Sequence, residues 1–296
     1  MLSIDDFKPI TIKIKPIFDA HYRKYPPIHS DNVFTTLIAW QDYAHYTYAL
    51  VDDALFIRAT VNNFNYFRPP SGQYNKELFD ELLKLNNSLQ PDSCISMVTE
   101  DSKKWIEKTY NSFTFKQQPE YADYVYLAKD LAQLEGSDYR KIRNRLNKFI
   151  KNIRFETEQI SKDNISEVKK FLKRWCIWRD CEDDPLLQYE KKAVMFSINH
   201  FSQLDLSGLA IKVNDKIEAV SVFEKMNKDT VVVHFEKGSP YYDGIYKVIN
   251  KETAQFVNNE VTYINRESDM GNPGLRKAKQ SYRPNQMIQV YQMNTN

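Results

Sequence analysis

The chain has 296 residues, of which 42% are hydrophobic and 27% are charged, and this balance excludes an intrinsically disordered protein. The formal net charge of +2 excludes a whole-protein field that would attract nucleic acid or a membrane, so any basic surface must be local. The length predicts two domains rather than one core. The N-terminal residues MLSIDDFKPI lack the apolar segment of a signal peptide, and no apolar run approaches the roughly 18 residues of a membrane-spanning helix. We therefore expect a soluble, cytoplasmic protein.

The first half of the chain is predicted to alternate helices with short strands. Leucines recur at spacings of three and four after Asn75, which predicts an amphipathic helix capped by that asparagine. Asp52 and Asp53 separate two apolar runs and predict the turn of a β-hairpin. In chain order, the predicted elements are a helix over Pro16–Arg23, a helix from Asp31 to Ala39, strands Tyr46–Leu50 and Ala54–Thr60, a helix from Asn75, strand Ser93–Val98, a helix from Ser102 to Tyr110 and strand Phe113–Lys116.

The second half is predicted to repeat this order of elements. Its strongest strand, by its content of β-branched residues, is Thr230–Phe235. The repeat predicts an α+β fold with two domains built on mixed sheets, over residues 1–135 and 155–296. In chain order, the predicted elements are a helix from Asp163, a helix over Pro185–His200, strands Leu209–Val213, Ala219–Glu224 and Thr230–Phe235, a helix from Gly244 to Val257, strand Val261–Ile264, a helix over Gly274–Tyr282 and strand Met287–Tyr291.

A basic segment over residues 136–154 joins the two predicted domains. It carries seven Lys and Arg residues against one Asp, and Ile142, Leu146 and Phe149 lie on one apolar stripe. The pattern predicts an amphipathic linking helix. Its basic residues, Arg143 among them, are candidates for contact with phosphates of tRNA or of a phospholipid headgroup. The alternative is a solvated helix face between two domains.

Cysteine and histidine patterns argue against a disulfide framework and against a metal site. The three cysteines, Cys94, Cys176 and Cys181, are few and odd in number, and a reduced setting fits them best. Cys176 and Cys181 have no nearby histidine in the spacing of zinc ligands, and none of the five histidines has metal-ligand spacing to another. We expect no metal. The abundant aromatic residues are expected to fill the core rather than to stack on nucleobases.

A first candidate site lies at the end of a predicted strand, in the segment His234–Gly238. A strand followed by a glycine-bearing turn and a helix N-terminus favours an anion, because free backbone N–H groups and the helix dipole point at it. Gly238 is therefore a candidate phosphate-binding residue. His234 is a candidate substrate-binding residue, and the alternative is a histidine of the core with its hydrogen bonds satisfied.

Glu236 in the same segment is a candidate general base. Its carboxylate could remove a proton from an attacking amine or hydroxyl. The alternative is a structural ion pair with Lys237 or with Arg266.

A second candidate site lies in the segment 263–282, which reads YINRESDMGNPGLRKAKQSY. Arginines in such a turn bind carboxylate or phosphate through two parallel hydrogen bonds, and acidic residues bind an ammonium group. Together they suit a zwitterion such as an amino acid. The alternative is a salt-bridged turn that caps the last helix. With Glu236, Asp269 is a candidate catalytic residue. The candidate substrate-binding residues are Arg266, Glu267, Arg276, Lys279, His234 and Tyr282.

Three strings in the sequence are similar to those of a known family: NRESDMGNPGLRKAKQSYRP, HFEKG and LEGSDYRKIRNRLNKF. They resemble the DUF2156 family, whose members are similar to the C-terminal catalytic domain of phosphatidylglycerol lysyltransferase. The resemblance covers most of the chain and is strongest from Leu134 to Tyr291. It implies two tandem GNAT-like (acetyltransferase-type) domains. It also implies kinship with Fem-type transferases, which move an aminoacyl group from a charged tRNA to an amine or hydroxyl acceptor.

Carried over by position, the resemblance selects residues in the basic segment 136–154 and in the charged segment 263–282. On the basic helix, Arg143 and Asn144 match and become phosphate-binding candidates. Phosphatidylglycerol lysyltransferase has an N-terminal multi-span membrane domain, and we expect none in this chain, so the resemblance alone does not assign lysyl transfer to a lipid. In the charged turn, which is the part of segment 263–282 between the predicted strand and helix together with the start of that helix, the matching residues are Arg266, Glu267, Asp269, Arg276 and Lys279.

We expect an acyl- or aminoacyl-transferase site in the second domain. Aminoacyl-tRNA is the preferred donor, because the R/Q-x-x-G-x-G/A segment that wraps the pyrophosphate of coenzyme A is absent. The acceptor is expected to be a small molecule or a lipid headgroup, and no further cofactor is assigned. Two alternatives stay open. One is an acetyl-CoA-dependent N-acetyltransferase that uses the Gly238–Gly244 turn, and the other is a non-catalytic module that binds an amino acid or an anionic metabolite.

Overall fold

The computed structural model describes residues 2–90 and 94–294. The helices are α1 Lys15–Lys24, α2 Phe34–Ala39, α3 Gln41–Ala44, α4 Lys76–Leu89, α5 Glu100–Thr109, α6 Ala128–Gln133, α7 Arg140–Asn152, α8 Ile165–Trp178, α9 Pro185–Asn199, α10 Ile245–Val257 and α11 Pro273–Gln280, with short 3-10 helices at Ile4–Asp6, Ile12–Ile14, Ser30–Asn32 and Pro119–Tyr121. The strands are β1 Lys8–Pro9, β2 Thr47–Val51, β3 Ala54–Val61, β4 Phe64–Phe67, β5 Cys94–Thr99, β6 Thr114–Gln117, β7 Asp123–Leu127, β8 Glu156–Gln159, β9 Ser207–Val213, β10 Lys216–Lys225, β11 Thr230–Gly238, β12 Tyr263–Asn265, β13 Gln286–Ile288 and β14 Val290–Asn294.

The chain divides into two compact units, each with its own mixed sheet. The first unit runs to Ala122 and includes the residues from Ile288 onward, and the second is Asp123–Met287. The strand order is β1-β2-β3-β4-β5-β14-β6 in one sheet and β13-β7-β12-β11-β10-β9-β8 in the other. Helices pack on antiparallel and parallel strands in both units, which confirms the predicted α+β class.

The unit boundaries differ from the predicted domains in two respects. The first unit ends at Ala122 rather than at residue 135, because β7 pairs antiparallel with β12 and so joins the second sheet. The last strand, β14, lies between β5 and β6 and so belongs to the first unit. Neither pairing is local in sequence, and a pattern of helices and strands carries no information about such partners.

The core of the first unit is rich in aromatic residues. Phe56, Phe67 and Phe79 are fully buried, and the rings of Phe7 and Phe67 meet edge to face at 5.3 Å. This packing confirms that aromatics fill the core, since such ring pairs bury much apolar area in a preferred geometry. The helix predicted after Asn75 is α4, and the Asn75 side chain accepts hydrogen bonds from the first free N–H groups of that helix. In the predicted strand Ser93–Val98, Ser93 lies outside the described residues.

The basic helix α7 is amphipathic as predicted, and it packs within the second unit. Ile142, Leu146 and Phe149 are buried in the core of that unit, while the basic residues Lys141 and Lys148 are exposed. The helix therefore contributes its apolar stripe to the second core rather than only linking two domains.

A fork between two parallel strands is the main feature of the second sheet. β11 and β12 pair from Thr230 with Tyr263 to Val232 with Asn265. β12 ends there, whereas β11 continues to Gly238 alongside β10. The chain then enters α10, which packs on the sheet through buried residues such as Ile245 and Ile249. The fork places the ends of two strands and the start of a helix around one region.

Two further features concern the sequence predictions. Cys176 and Cys181 form a disulfide with their Cα atoms 5.3 Å apart, and Cys94 is a free, partly buried thiol. The expectation of fully reduced cysteines is therefore not met. Within residues 2–90 and 94–294, no helix is long and apolar enough to cross a membrane.

Candidate functional site

An ion pair between Glu236 and Arg266 occupies the fork. Glu236 lies near the end of β11, and Arg266 follows the last residue of β12. The Arg266 Nη2 donates to one oxygen of Glu236, and the Asn250 amide donates to the other at 3.2 Å. Both charged side chains are largely buried, with 15% of Arg266 and 7% of Glu236 exposed. Of the two structural partners considered for Glu236, the structure therefore selects Arg266.

Two tyrosines enclose the guanidinium of Arg266. Its Cζ lies 5.0 Å from the ring centroid of Tyr282 and 5.8 Å from that of Tyr126. Burial alone would lower the pKa of Arg266, but the Glu236 carboxylate more than compensates and raises it. The arginine is thus held charged between aromatic rings, an arrangement in which cation–π attraction adds to the ion pair.

Two lysines near the fork have lowered pKa values. Burial, followed by repulsion from Arg266, lowers the pKa of Lys279 to about 8 and that of Lys247 to about 8. The Lys279 ammonium donates to the backbone carbonyls of Arg266, Glu267 and Ser268 at 2.5, 3.1 and 2.6 Å. The Lys247 ammonium lies 4.6 Å from the ring centroid of Tyr282. Lys279 therefore stabilises the turn after β12, whereas Lys247 contacts an aromatic face.

His234 lies between two carboxylates. Its Nε2 is 2.8 Å from Glu224 and its Nδ1 is 3.0 Å from Glu267. Burial would lower the pKa of His234, but the hydrogen bonds with both carboxylates raise it to about 10. Burial raises the pKa of Glu267. The histidine is thus a buried cation with two acidic partners. Glu267, which was predicted to bind substrate, instead contacts His234.

Asp269 closes the turn between β12 and α11. Its carboxylate is fully buried and accepts hydrogen bonds from Arg276, from the Tyr124 hydroxyl at 2.7 Å and from the Gly271 N–H at 2.9 Å. Burial would raise the pKa of Asp269, but these hydrogen bonds lower it. Asn272 caps the following helix α11. The contacts of Asp269 and Arg276 thus correspond to the salt-bridged, helix-capping turn that was the structural alternative.

Of the three phosphate-binding candidates, Arg143 and Asn144 lie on α7, and Gly238 is the last residue of β11. The Arg143 guanidinium donates to the carbonyls of Leu134 and Gly136, so it braces the chain that leads into α7. Asn144 is exposed on the same helix. A Cβ atom on Gly238 would meet Ile245 at 2.9 Å, so this glycine allows α10 to approach β11 closely.

Lys237 faces a small cavity on another side of β11. Its ammonium bonds Glu190 at 2.6 Å and lies 4.1 Å from the ring centroid of Trp175. The cavity, of about 20 Å³, is lined by residues of α8 and α9 together with Lys237. About one water molecule fits in such a volume, so the cavity does not provide a substrate pocket.

A model of the family described as "Phosphatidylglycerol lysyltransferase, C-terminal" matches residues 22–294. The chain belongs to this family. The match confirms the resemblance that the three sequence strings carry. It covers both compact units, so the family relationship extends well beyond the charged turn.

One curated protein and two solved structures are similar to this chain over much of its length. An uncharacterised protein of Mycoplasmoides gallisepticum is 25% identical over 191 residues, which are 64% of this chain and 60% of that protein, so the chain matches less than two thirds of its length. A conserved protein of unknown function from Bacteroides thetaiotaomicron VPI-5482 is 30% identical, with a TM-score of 0.92 over 98% of this chain and 99% of that chain. L-PGS from Bacillus licheniformis is 13% identical, with a TM-score of 0.66 over 97% and 92%.

Two more distant structures bear on the fold alone. FemX is 10% identical, with a TM-score of 0.59 over 96% of both chains. A tandem GNAT protein from the clavulanic acid biosynthesis pathway is 6% identical, with a TM-score of 0.50 over 98% of both chains. The fold is therefore the tandem GNAT-like fold that the family resemblance implied.

Within this family fold, the structure brings some predicted residues together and adds others. Glu236, Arg266 and Tyr282 meet at the fork, and Lys279 binds the backbone beside them. Sequence reasoning missed Tyr126, Lys247 and Asn250. Helical spacing could have indicated the last two, since Lys247 and Asn250 lie three residues apart near the start of α10. Across residues 2–90 and 94–294, no group of three or more His, Cys, Asp or Glu side chains is placed to hold a metal ion.

Proposed function

We propose that the second unit transfers an aminoacyl group from a charged tRNA to an amine or hydroxyl acceptor. The observation that carries this proposal is the buried Glu236–Arg266 pair at the fork, with the lowered-pKa lysines Lys247 and Lys279 beside it. Excess positive charge in a site that is largely shielded from water stabilises an intermediate in which negative charge develops. Membership of the lysyltransferase family supports the same class of reaction.

The reaction requires a site that stabilises an oxyanion. The acceptor nitrogen or oxygen attacks the carbonyl carbon of the aminoacyl ester, and a tetrahedral intermediate forms with negative charge on the former carbonyl oxygen. The bond to the tRNA ribose oxygen then breaks, and the proton lost by the acceptor ends on that oxygen. Arg266 and Lys247 offer fixed positive charge to the intermediate, and such preorganised charge lowers the barrier most where water is excluded.

The contacts of Glu236 support a positioning role rather than proton removal. One carboxylate oxygen accepts from Arg266 and the other from Asn250. A carboxylate whose oxygens are engaged in this way holds the arginine in one orientation between Tyr126 and Tyr282. We propose that Asp269 likewise acts through the turn, by fixing the backbone that follows β12.

Aminoacyl-tRNA is preferred to acyl-CoA as the donor for two reasons. The turn between β11 and α10 lacks the glycine-rich segment that wraps the coenzyme A pyrophosphate. The exposed lysines of α7, Lys141, Lys148 and Lys151, offer a local basic face to a polyanion. The acceptor belongs to the class of amines and hydroxyls, in a small molecule or a lipid headgroup.

A transfer assay with a panel of radiolabelled aminoacyl-tRNAs tests the proposal. Vesicles containing phosphatidylglycerol and simple primary amines serve as acceptors, and label is measured in the lipid extract and in the amine fraction. We expect transfer by the unmodified chain, and at least a tenfold loss in Arg266→Lys because lysine cannot make the same directed contacts. Lys277→Ala, which removes an exposed charge from α11, is the matched control.

Two outcomes would decide against this donor. If no aminoacyl-tRNA binds at low salt and none gives transfer, the proposed function is wrong. A thermal shift with millimolar acetyl-CoA, without any shift from charged tRNA, would instead support the acetyltransferase alternative.

A further inference from the structure

The ammonium group of Lys247 lacks a hydrogen-bond acceptor among residues 2–90 and 94–294. Lys247 lies in the first turn of α10, and its Nζ is 4.6 Å from the centroid of the Tyr282 ring. An ammonium group has three donors, which take acceptors from the protein, from solvent or from a bound ligand. The position of Lys247 therefore leaves donors for a partner outside the described chain.

Arg266 also has an unused donor. Its Nη2 is bonded to Glu236, but its Nη1 is buried and has no partner within the described residues. The Cζ of Arg266 is 5.0 Å from the centroid of the same Tyr282 ring that Lys247 contacts. Two cations thus lie against the Tyr282 ring, and each has N–H groups that are not hydrogen-bonded to the described residues.

The charges around Lys247 do not balance. Arg266 and Arg145 repel its positive charge, and Glu236, which already pairs with Arg266, attracts it. Together with burial, this surplus lowers the pKa of Lys247 to about 8. An anion placed beside Lys247 and Arg266 would restore neutrality, because it offers acceptors to both and reduces their mutual repulsion.

Three other cationic residues that were predicted to bind substrate or phosphate are engaged within the chain. Arg143 is bonded to the Leu134 and Gly136 carbonyls, Arg276 to Asp269, and Lys279 to three backbone carbonyls. Among the described residues at the fork, the Lys247 ammonium and the Arg266 Nη1 remain as donors.

We propose that Lys247 and Arg266 form a subsite for an oxyanion group of the substrate, a carboxylate or a phosphate ester, beside the ring of Tyr282. The role of this subsite in the reaction rests on the proposed transferase function, but binding of an anion there does not require turnover. Glu236 accepts a hydrogen bond from Arg266 Nη2, and Arg145 of α7 adds positive charge near Lys247.

Titration with sodium sulfate and with sodium acetate tests the subsite. Binding is followed by NMR, through the Arg266 side-chain Nε–H and the backbone N–H of Lys247, at constant ionic strength. Sulfate keeps its charge from pH 6.5 to 9.5, so any pH dependence belongs to the protein. We expect saturable shifts at pH 7, at least tenfold weaker affinity in Lys247→Met, and unchanged affinity in Lys251→Met, which removes the same charge from the same helix.

The pH dependence provides a second readout. Anion binding needs the charged form of Lys247, so we expect affinity for sulfate to fall as the pH rises above about 8. Lys247→Arg should lose less affinity than the unmodified chain between pH 7 and 9.5, because arginine stays charged. The decrease that remains is assigned to Lys279, whose pKa is also lowered to about 8. If Lys247→Met does not fold, the pH dependence of Lys247→Arg still tests the subsite, because this variant retains a long cationic side chain.

The outcomes separate this inference from the proposed function. Tighter binding of sulfate assigns the subsite to a phosphate ester, and tighter binding of acetate assigns it to a carboxylate. Absence of saturable shifts with both anions, or equal affinity in Lys247→Met, would overturn the subsite. Anion binding without aminoacyl transfer would leave the subsite standing while the proposed function fails, and transfer without anion binding would do the reverse.

Discussion

The buried carboxylate of Asp269 receives two hydrogen bonds from the guanidinium of Arg276, at 2.8 Å from Nε and 3.0 Å from Nη2. The Tyr124 hydroxyl and the Gly271 N–H supply two more. These donors fill the acceptor positions of a carboxylate. A residue that sequence reasoning placed among the catalytic candidates is therefore engaged in holding a turn.

Replacement of Asp269 should lower stability more than replacement of Arg276. Asp269→Ala leaves the Tyr124 hydroxyl and the Gly271 N–H without their acceptor, and we expect a loss of about 3 kcal/mol in the free energy of unfolding. Arg276→Ala should cost less, about 1 kcal/mol, because its side chain is partly exposed and Asp269 keeps two donors. Urea denaturation measures both, with Lys277→Ala as the control. Equal stability of Asp269→Ala and the control would contradict this role.

His234 should make stability depend on pH above neutrality. Its pKa is raised to about 10 in the folded chain, so its stabilisation is complete below the ordinary histidine pKa of 6.5 and is lost as the pH rises toward 10. The contribution of His234 to the free energy of unfolding should fall by at most about 1.4 kcal/mol per pH unit. The difference in unfolding free energy between the unmodified chain and His234→Gln should therefore shrink from pH 7 to pH 10.

Lys247 and Lys279 titrate in an overlapping range with the opposite sign. Their folded pKa values of about 8 lie below the ordinary lysine value, so they make stability rise with pH above about 8. Both lysines are present in the unmodified chain and in His234→Gln, and their contribution cancels in the difference. A difference that stays constant over this range would show that His234 is not a buried cation.

The exposed lysines of α7 should govern tRNA affinity if the proposed donor is correct. We expect the triple variant Lys141→Ala, Lys148→Ala, Lys151→Ala to bind tRNA more weakly, and the slope of log affinity against log salt to decrease in magnitude by about 2. Filter binding over a salt series measures this slope. The control removes three lysines from and just before α8, Lys162, Lys170 and Lys173. The same decrease in both triple variants would indicate a general charge effect and not contact along α7.

The cysteine pairing can be counted directly. Thiol titration of the denatured, unreduced chain should find one free thiol, Cys94, and prior reduction should raise the number to three. Because Cys176 and Cys181 close a short loop, their reduction should lower the free energy of unfolding by about 2 kcal/mol. Cys94→Ser should leave this difference intact. Three reactive thiols before reduction would contradict the disulfide.

Local patterns in the sequence predicted most elements of the second unit but not their partners. The β-branched run from Thr230 predicted β11, and the apolar stripe through Leu146 predicted the buried face of α7. The same stripe could not indicate that α7 packs in the second core, and the pattern of Met287–Tyr291 could not assign β14 to the first sheet. Periodicity reports which face of an element is buried, whereas partner choice depends on contacts far apart in the chain.

The candidate site was predictable in its location but less so in its chemistry. The charged strand ends at Glu236 and Arg266 indicated the fork, because both follow apolar runs. The sequence could not reveal that Asp269 and Arg276 form an ion pair with each other. Nor could it reveal that Lys247, in the first turn of α10, approaches Tyr282. Whether a charge is free for a ligand depends on which neighbours reach it, and that is decided by packing.

The position of β14 has a consequence for the order in which the chain can fold during synthesis. Its residues 290–294 lie between β5 and β6, so β5 has only β4 beside it and β6 is not joined to the sheet until residues 290–294 have left the ribosome. The second unit, Asp123–Met287, is complete in one continuous segment and can close earlier. Domains usually fold in the order of their synthesis. In this chain, the unit that emerges first is expected to finish last, and a nascent chain stalled before Val290 would carry a folded second unit behind an unfinished first sheet.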